Sequence, residues 1–281
     1  MNNLKKKILI VIYLCGGLFV SAQQTEYVTK LDVCYYSDSI ASKNQYIKDR
    51  CKLDVYYPKN QRGFATIIWF HGGGLTVGSK EIPEALKDKG YCVVGVNYRL
   101  SPKVTAPTYI EDAAAAVAWV FMNIGSFGGD ESLIFVSGHS AGAYLGALIG
   151  LDKSWLRHYN IDANKIAGLI PFSAQTITHF TIRKERGIPE TQPVVDNLAP
   201  LYFVKADAPP LLLITGDREM ELLGRYEENA YLMRMMKVAG HKDTRLLELQ
   251  GYDHGGMAQP AFPLLLKEVK RIVDRRKSLL K

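Results

Sequence analysis

The sequence predicts an α/β domain: a mostly parallel sheet of about eight strands, with helices on both faces. Three observations carry that prediction. Short, continuous apolar runs recur at 65–70 (ATIIWF), 91–96 (YCVVGV), 133–136 (LIFV) and 211–215 (LLLIT), as strands buried on both faces do. Helix-like segments at 110–121 and 141–151 fall between them, and one at 226–239 follows the last. Strands alternating with helices imply crossover connections and therefore parallel pairing.

Taken in order, the chain begins with a distinct segment. Lys5, Lys6 and Lys7 precede an apolar run at 8–20, and Val20, Ser21 and Ala22 offer a small-residue cleavage site. That pattern predicts a signal peptide over 1–22, because the run is short of the roughly 20 residues a membrane span needs. The expectation is an exported protein, periplasmic or secreted, with no membrane span after cleavage. Loss of the three lysines lowers the formal charge from +7 to +4. Spread along the chain, that balance does not point to nucleic acid.

The remaining 23–281 reads as one domain. Segments 27–36 and 52–57 alternate polar and apolar residues like half-exposed strands, and further strands are expected at 166–172 and 245–249. Helix 110–121 starts with acidic residues, which the helix dipole favours. The proline-bearing stretch 176–210 breaks the rhythm and is either a surface connection or a small lid or wall over the active site. Leu264, Leu265, Leu266, Val269, Ile272 and Val273 recur at helical spacing and predict a C-terminal amphipathic helix with a solvated basic face.

Cys34, Cys51 and Cys92 remain after cleavage, an odd count that leaves at least one thiol unpaired. Cys92 sits in an apolar run and reads as a buried core thiol. Cys34 and Cys51 can pair only if their strands are neighbours. With no CxxC and no Cys/His cluster, neither a structural zinc nor any other metal is expected.

The chemistry concentrates in three places. Gly138-His139-Ser140-Ala141-Gly142 follows a strand-like run and opens a helix-like one. A nucleophile elbow needs that context: a sharp turn that strains the serine, glycines that let backbone approach, and a helix N-terminus beneath. Ser140 is the expected nucleophile. His71-Gly72-Gly73-Gly74 follows the strand at 65–70, where side-chain-free N–H groups can face a developing oxyanion. Gly73 and Gly74, with the Ala141 N–H, are the expected donors.

Of six histidines, His254 in GYDHGG lies between a strand-like run and the last helix, and is the expected general base. His71 and His139 belong to the two motifs, and His158, His179 and His241 read as surface residues. The acid should fall between Ser140 and His254 in sequence. Asp217, directly after the run 211–215, is the expected residue, with Glu219 and Glu221 as competitors. Asp253 is expected to shape the turn beside the base.

HGGG, Asn97-Tyr98-Arg99-Leu100-Ser101-Pro102, the helix around Asp112 and Trp119, and GHSAGA together resemble esterases related to hormone-sensitive lipase. They are also similar to kynurenine-formamidase-like and bacterial carboxylesterase relatives. The resemblance runs from about Leu53 to the C-terminus and implies the α/β-hydrolase fold, no cofactor and an acyl-enzyme mechanism on carboxylic esters. It departs from many lipase-like members at the elbow, which holds His139 where they carry Asp, and at the acid, set in GDRE. The expected substrate is a small-molecule ester with a short acyl group, such as an acetyl ester of a carbohydrate. An arylformamidase-type amidase using the same triad is the alternative, and a non-catalytic binding module of this fold a lesser one. Oligomeric state is not legible in the sequence.

Overall fold

The apolar runs become the strands of one eight-stranded sheet: β1 (Tyr27–Cys34), β2 (Lys52–Pro58), β3 (Phe64–Phe70), β4 (Cys92–Val96), β5 (Gly129–His139), β6 (Gly168–Phe172), β7 (Leu211–Gly216) and β8 (Thr244–Leu249). The structure, a computed structural model, describes residues 25–222 and 224–279; the expected signal segment 1–22 lies outside them. Strands run in the order β1-β2-β4-β3-β5-β6-β7-β8. The β1/β2 and β2/β4 pairs are antiparallel, and every pair from β4 through β8 is parallel. Connecting them are helices α1 (Asp38–Ala41), α2 (Gln45–Arg50), α3 (Thr108–Asn123), α4 (Ala141–Leu151), α5 (Lys153–Arg157), α6 (Phe180–Glu185), α7 (Arg225–Val238) and α8 (Ala258–Leu279).

Strand periodicity divides the core into two layers. Ile68, Phe70, Val94, Ile134, Val136 and Leu213 face α3, α4 and α7. Their neighbours Ile67, Trp69, Val93, Phe135, Ile170, Leu212 and Ile214 face α8, which contributes Phe262, Leu265, Val269 and Ile272. Both faces of the central strands are thus covered, which is why those runs are apolar without alternation. The outer strand β1 is half-exposed and carries Lys30 and Asp32, charges that discourage edge-to-edge pairing. No helix among the described residues is long and apolar enough to cross a membrane.

The topology also locates a crevice. From β3 the chain passes to β4 on one side, then returns to β5 on the other. Such a reversal opens a cleft at the carboxyl ends of the two central strands. The HGGG loop leaves β3 there, and the elbow leaves β5 beside it.

Two points left open by the sequence are answered, and one expectation, the surface placement of His179 and His241, is corrected. Cys34 and Cys51 are both free thiols, because the register sets Cys34 opposite Lys52 while Tyr35 donates its N–H to the Cys51 carbonyl (3.3 Å). His179 and His241 are buried rather than superficial. His241 bridges Thr244 and the Ala208 carbonyl, and His179 accepts from the Thr181 N–H and packs between the Tyr144 and Phe180 rings. Each is held partly by a distant segment, Tyr144 of α4 for His179 and the Ala208 carbonyl for His241, which the local sequence does not reveal. The stretch 176–210 is closed on itself by Thr178 N–H to Val194 O and Leu201 N–H to Thr176 O, and is tied to the body by Tyr144 O–H of α4 to Leu198 O.

Candidate active site

Ser140 is held in a conformation that serine rarely adopts, with φ 54° and ψ −115°. Its backbone is fixed on both sides: the N–H donates to Phe172 O of β6, and its carbonyl accepts from Tyr144 N–H in α4 (both 2.9 Å). The elbow glycines serve close approach. A Cβ on Gly142 would lie 2.1 Å from the Phe70 carbonyl oxygen at the end of β3, and one on Gly138 2.6 Å from the same atom. The turn therefore nests against the central strand with no room for a methyl group. We expect Gly142→Ala to destabilise the fold by more than about 3 kcal/mol, since it must displace β3 or the elbow. A denaturant melt that overlays the wild-type curve would contradict this packing account.

The expected nucleophile and the expected base lie in contact. Ser140 Oγ lies 2.8 Å from His254 Nε2, on the loop between β8 and α8. On the far side of the ring, His254 Nδ1 lies 2.8 Å from Glu221 Oε2. Glu221 therefore occupies the position expected for Asp217. Asp217 faces elsewhere: its carboxylate accepts the Gly251 and Glu219 N–H groups (2.8 and 3.0 Å), and its own N–H donates to Tyr252 O. It shapes a turn. The Asp217 carbonyl accepts the Glu221 N–H (2.9 Å), and that turn folds Glu221 back under the histidine. Glu219 is exposed and takes no part.

The Glu221 carboxylate is shielded from solvent yet stays ionised, held at about 2. Burial by itself would raise it, but hydrogen bonds from His254, Ser173 and the Gly216 N–H outweigh that cost. Ser173, at the end of β6, donates to Glu221 Oε1 (2.6 Å), and its Oγ lies 2.9 Å from His254 Nδ1.

His139, inside the elbow, donates from Nε2 to the His254 carbonyl (2.8 Å) and packs ring against ring with His254 at 4.8 Å between centroids. Burial is the main cause holding it down to about 4, so it is neutral across the physiological range. It ties the base loop to the nucleophile strand. Asp253 accepts the Gly256 N–H (2.6 Å) and forms the turn, as expected.

Gly73 and Gly74 have φ +108° and +61°, and a Cβ on Gly73 would sit 2.2 Å from Val77 O. This loop is fixed by its carbonyls: Gly73 O accepts from Thr76 and Val77 N–H, and Gly74 O from the Thr181 hydroxyl. Among the described residues no acceptor takes the Gly73 or Gly74 N–H. The loop passes close to the nucleophile, with the Cβ position of Gly72 3.5 Å from Ser140 Cβ. Ala141 begins α4, so its N–H has no carbonyl one turn back. The geometry leaves all three expected donors free.

Residues 97–101 brace this loop. Tyr98 O–H donates to His71 O (2.8 Å) and its ring stacks on the imidazole, while Ser101 N–H donates to Leu75 O. His71 is buried and held down to about 4, chiefly by burial, with the nearby Arg50 guanidinium acting the same way. Arg99 clamps the fully buried Asp112 of α3 through two hydrogen bonds of 2.6 and 2.8 Å. Among the described residues no group of three or more His, Cys, Asp or Glu is placed to hold a metal ion.

Comparison with known proteins follows from this geometry. Esterase LipC of Mycobacterium tuberculosis is 26% identical over 253 residues, covering 78% of this chain and 62% of that protein. Esterase LipQ of the same organism is 27% identical, covering 54% of this chain and 41% of its own length. The chain thus spans between about two fifths and three fifths of these curated relatives. Among solved structures, a truncated carbohydrate esterase from gut microbiota superposes with a TM-score of 0.72 at 20% identity, over 89% of this chain and 98% of that one. Thermogutta terrifontis esterase 2, phosphoramylated by tabun, gives 0.67 at 20% identity, over 87% and 94%. These likenesses establish the α/β-hydrolase fold. The BD-FAE family model matches residues 53–222, more than half of the 281, and the chain belongs to that family.

Proposed function

We propose that this protein is a serine carboxylesterase acting on short-chain esters, with Ser140, His254 and Glu221 as its triad. The observation that carries this reading is the continuous path from Ser140 Oγ through both nitrogens of His254 to Glu221, each link 2.8 Å. His254 takes the Ser140 proton as Oγ attacks the ester carbonyl. The Gly73, Gly74 and Ala141 N–H groups receive the oxyanion of the tetrahedral intermediate. As it collapses, His254 protonates the departing alcohol, and the acyl group stays on Ser140. Water, deprotonated by the same imidazole, then releases the acid and restores the serine. Glu221 keeps the proton on Nδ1, so that Nε2 is free to accept, and it balances the imidazolium formed at each step.

The segment beside the oxyanion loop limits the room on one side of the site. Phe180 and Thr181 of α6 press against Gly74, so the 176–210 segment is a fixed wall beside the oxyanion loop. A groove of about 480 Å³ opens along that wall, lined by Thr76, Ser101, Pro102, Phe180, Thr181 and Lys184 among others. Its lining combines Phe180 and Pro102 with hydroxyls and the charged Lys184 and Glu185, and it lies beside the oxyanion loop, with neither Ser140 nor His254 in its wall. Acetyl esters of carbohydrates are the proposed class, supported by the likeness to a carbohydrate esterase. The test is a series of p-nitrophenyl esters from acetate to octanoate, together with acetylated sugars. We expect kcat/KM to be highest for acetate and to fall as the chain lengthens. Hydrolysis of none of them would end the esterase reading; a maximum at octanoate would end the short-chain one.

A further inference from the structure

The strand between the nucleophile and the acid ends in a residue that the three-member account leaves unused. β6 lies between β5, which presents Ser140, and β7, which leads to Glu221. Ser173 directly follows β6, is fully buried, and has φ 49°, a left-handed conformation that glycine would adopt without strain. Its backbone is pinned by two bonds: the N–H donates to Ile214 O (2.7 Å), and the carbonyl accepts from Arg225 Nη1 (2.6 Å). A buried, non-glycine residue in this region at a site edge marks a position where the side chain is wanted.

Proton accounting says what the hydroxyl does. An ionised Glu221 can only accept, so Ser173 O–H donates to Oε1 at 2.6 Å. His254 must leave Nε2 bare to take the Ser140 proton, so Nδ1 carries hydrogen. That N–H points to Glu221 Oε2 at 2.8 Å and has Ser173 Oγ as a second acceptor at 2.9 Å. Serine thus closes a ring of hydrogen bonds through both carboxylate oxygens and the imidazole. The Gly216 N–H completes the shell of Oε1 at 2.9 Å. Other titratable groups near the pair are His139, which spends its Nε2 on the His254 carbonyl, and Arg225, which spends Nη1 on Ser173 itself.

We infer that Ser173 is a positioning residue of the reaction: it fixes the Glu221 carboxylate and the His254 ring in one plane of contact and shares the Nδ1 proton as the imidazolium forms. This rests on the esterase reading above. Because the serine acts chiefly by holding the Glu221 carboxylate, its effect shrinks once that carboxylate is gone, whereas a merely structural serine would cost the same with or without it.

The experiment is a double-mutant cycle on wild type, Ser173→Ala, Glu221→Gln and the double variant. Its readouts are kcat and KM for p-nitrophenyl acetate and the rate of Ser140 labelling by a fluorophosphonate. We expect Ser173→Ala to lower kcat and the labelling rate about tenfold, the scale of one hydrogen bond to a charged group, with KM within about twofold. In the Glu221→Gln background the same change should cost less than about twofold. Ser173→Gly, which relaxes the backbone while also lacking the hydroxyl, should match the alanine variant, and it carries the comparison alone should the alanine protein not fold. Wild-type kcat in the hydroxyl-free variants, or an equal loss in both backgrounds, would overturn the inference. Wild-type protein that neither turns over nor labels would instead remove the esterase reading on which it stands.

Discussion

Replacing Ser140 with alanine should lower kcat for p-nitrophenyl acetate by about six orders of magnitude, the scale seen when a serine hydrolase loses its nucleophile. The size follows from there being no second attacking group: the imidazole can still activate water, but no acyl-enzyme forms. The fold should survive, for reasons visible in the local structure. Among the described residues the Ser140 side chain is bonded to His254 alone. Its backbone bonds to Phe172 and Tyr144 do not need the side chain. The strained φ of 54° is no worse for alanine than for serine. Thermal unfolding should therefore shift by no more than a few degrees while turnover disappears. An alanine variant with wild-type turnover would mean that the 2.8 Å contact with His254 has no catalytic meaning.

Why some of this was legible in the sequence and some was not has a physical basis. The elbow and the HGGG loop announce themselves because their constraints are local. Gly142 must lack a Cβ to nest on Phe70, and Gly73 must reach φ +108°, so the letters themselves carry the geometry. Buried strands are equally legible, since β3, β4 and β7 are apolar on both faces. His254 could be found because a Gly-rich loop before the last helix offers few alternatives. The acid is different. Asp217 sits where the strand ends, and proximity to a strand end favours it, but direction is set by the turn that follows. Asp217 turns outward to collect the Gly251 and Glu219 N–H groups, and its carbonyl folds the chain so that Glu221 points inward. The spacing of four residues, one helical turn, was the available signal. Ser173 was missed because its role depends on β6 lying between β5 and β7, a fact of sheet order rather than of local sequence. Its place at the end of an expected strand, beside the nucleophile strand, was the hint. His179 and His241 were misplaced for a related reason: each also meets a distant segment, Tyr144 for His179 and the Ala208 carbonyl for His241.

The acid assignment yields the sharper contrast. Glu221→Gln should reduce kcat by about three to four orders of magnitude with little change in KM, as when the carboxylate of such a triad becomes an amide and the imidazole loses its tautomer and its counter-charge. Asp217→Asn should stay within a few-fold of wild type, because asparagine retains an oxygen that can accept the Glu219 or Gly251 N–H and hold the turn. The reverse pattern would return the acid to Asp217 and require a loop rearrangement of the whole β7 turn. An independent thermodynamic mark should accompany the kinetic one. Folding lowers the Glu221 carboxyl to about 2, below the roughly 4.3 of an unfolded glutamate, so its ionised form stabilises the native state above the unfolded value. As pH falls through the interval between the two, the folded protein gives up that contribution, whereas Glu221→Gln has none to lose. The Tm advantage of wild type over the variant should therefore be full near pH 6 and narrow steadily from about pH 4 towards pH 2. A difference in Tm that does not change over that interval would mean the carboxylate is not held ionised by His254 and Ser173, and the kinetic loss would then need a purely steric cause.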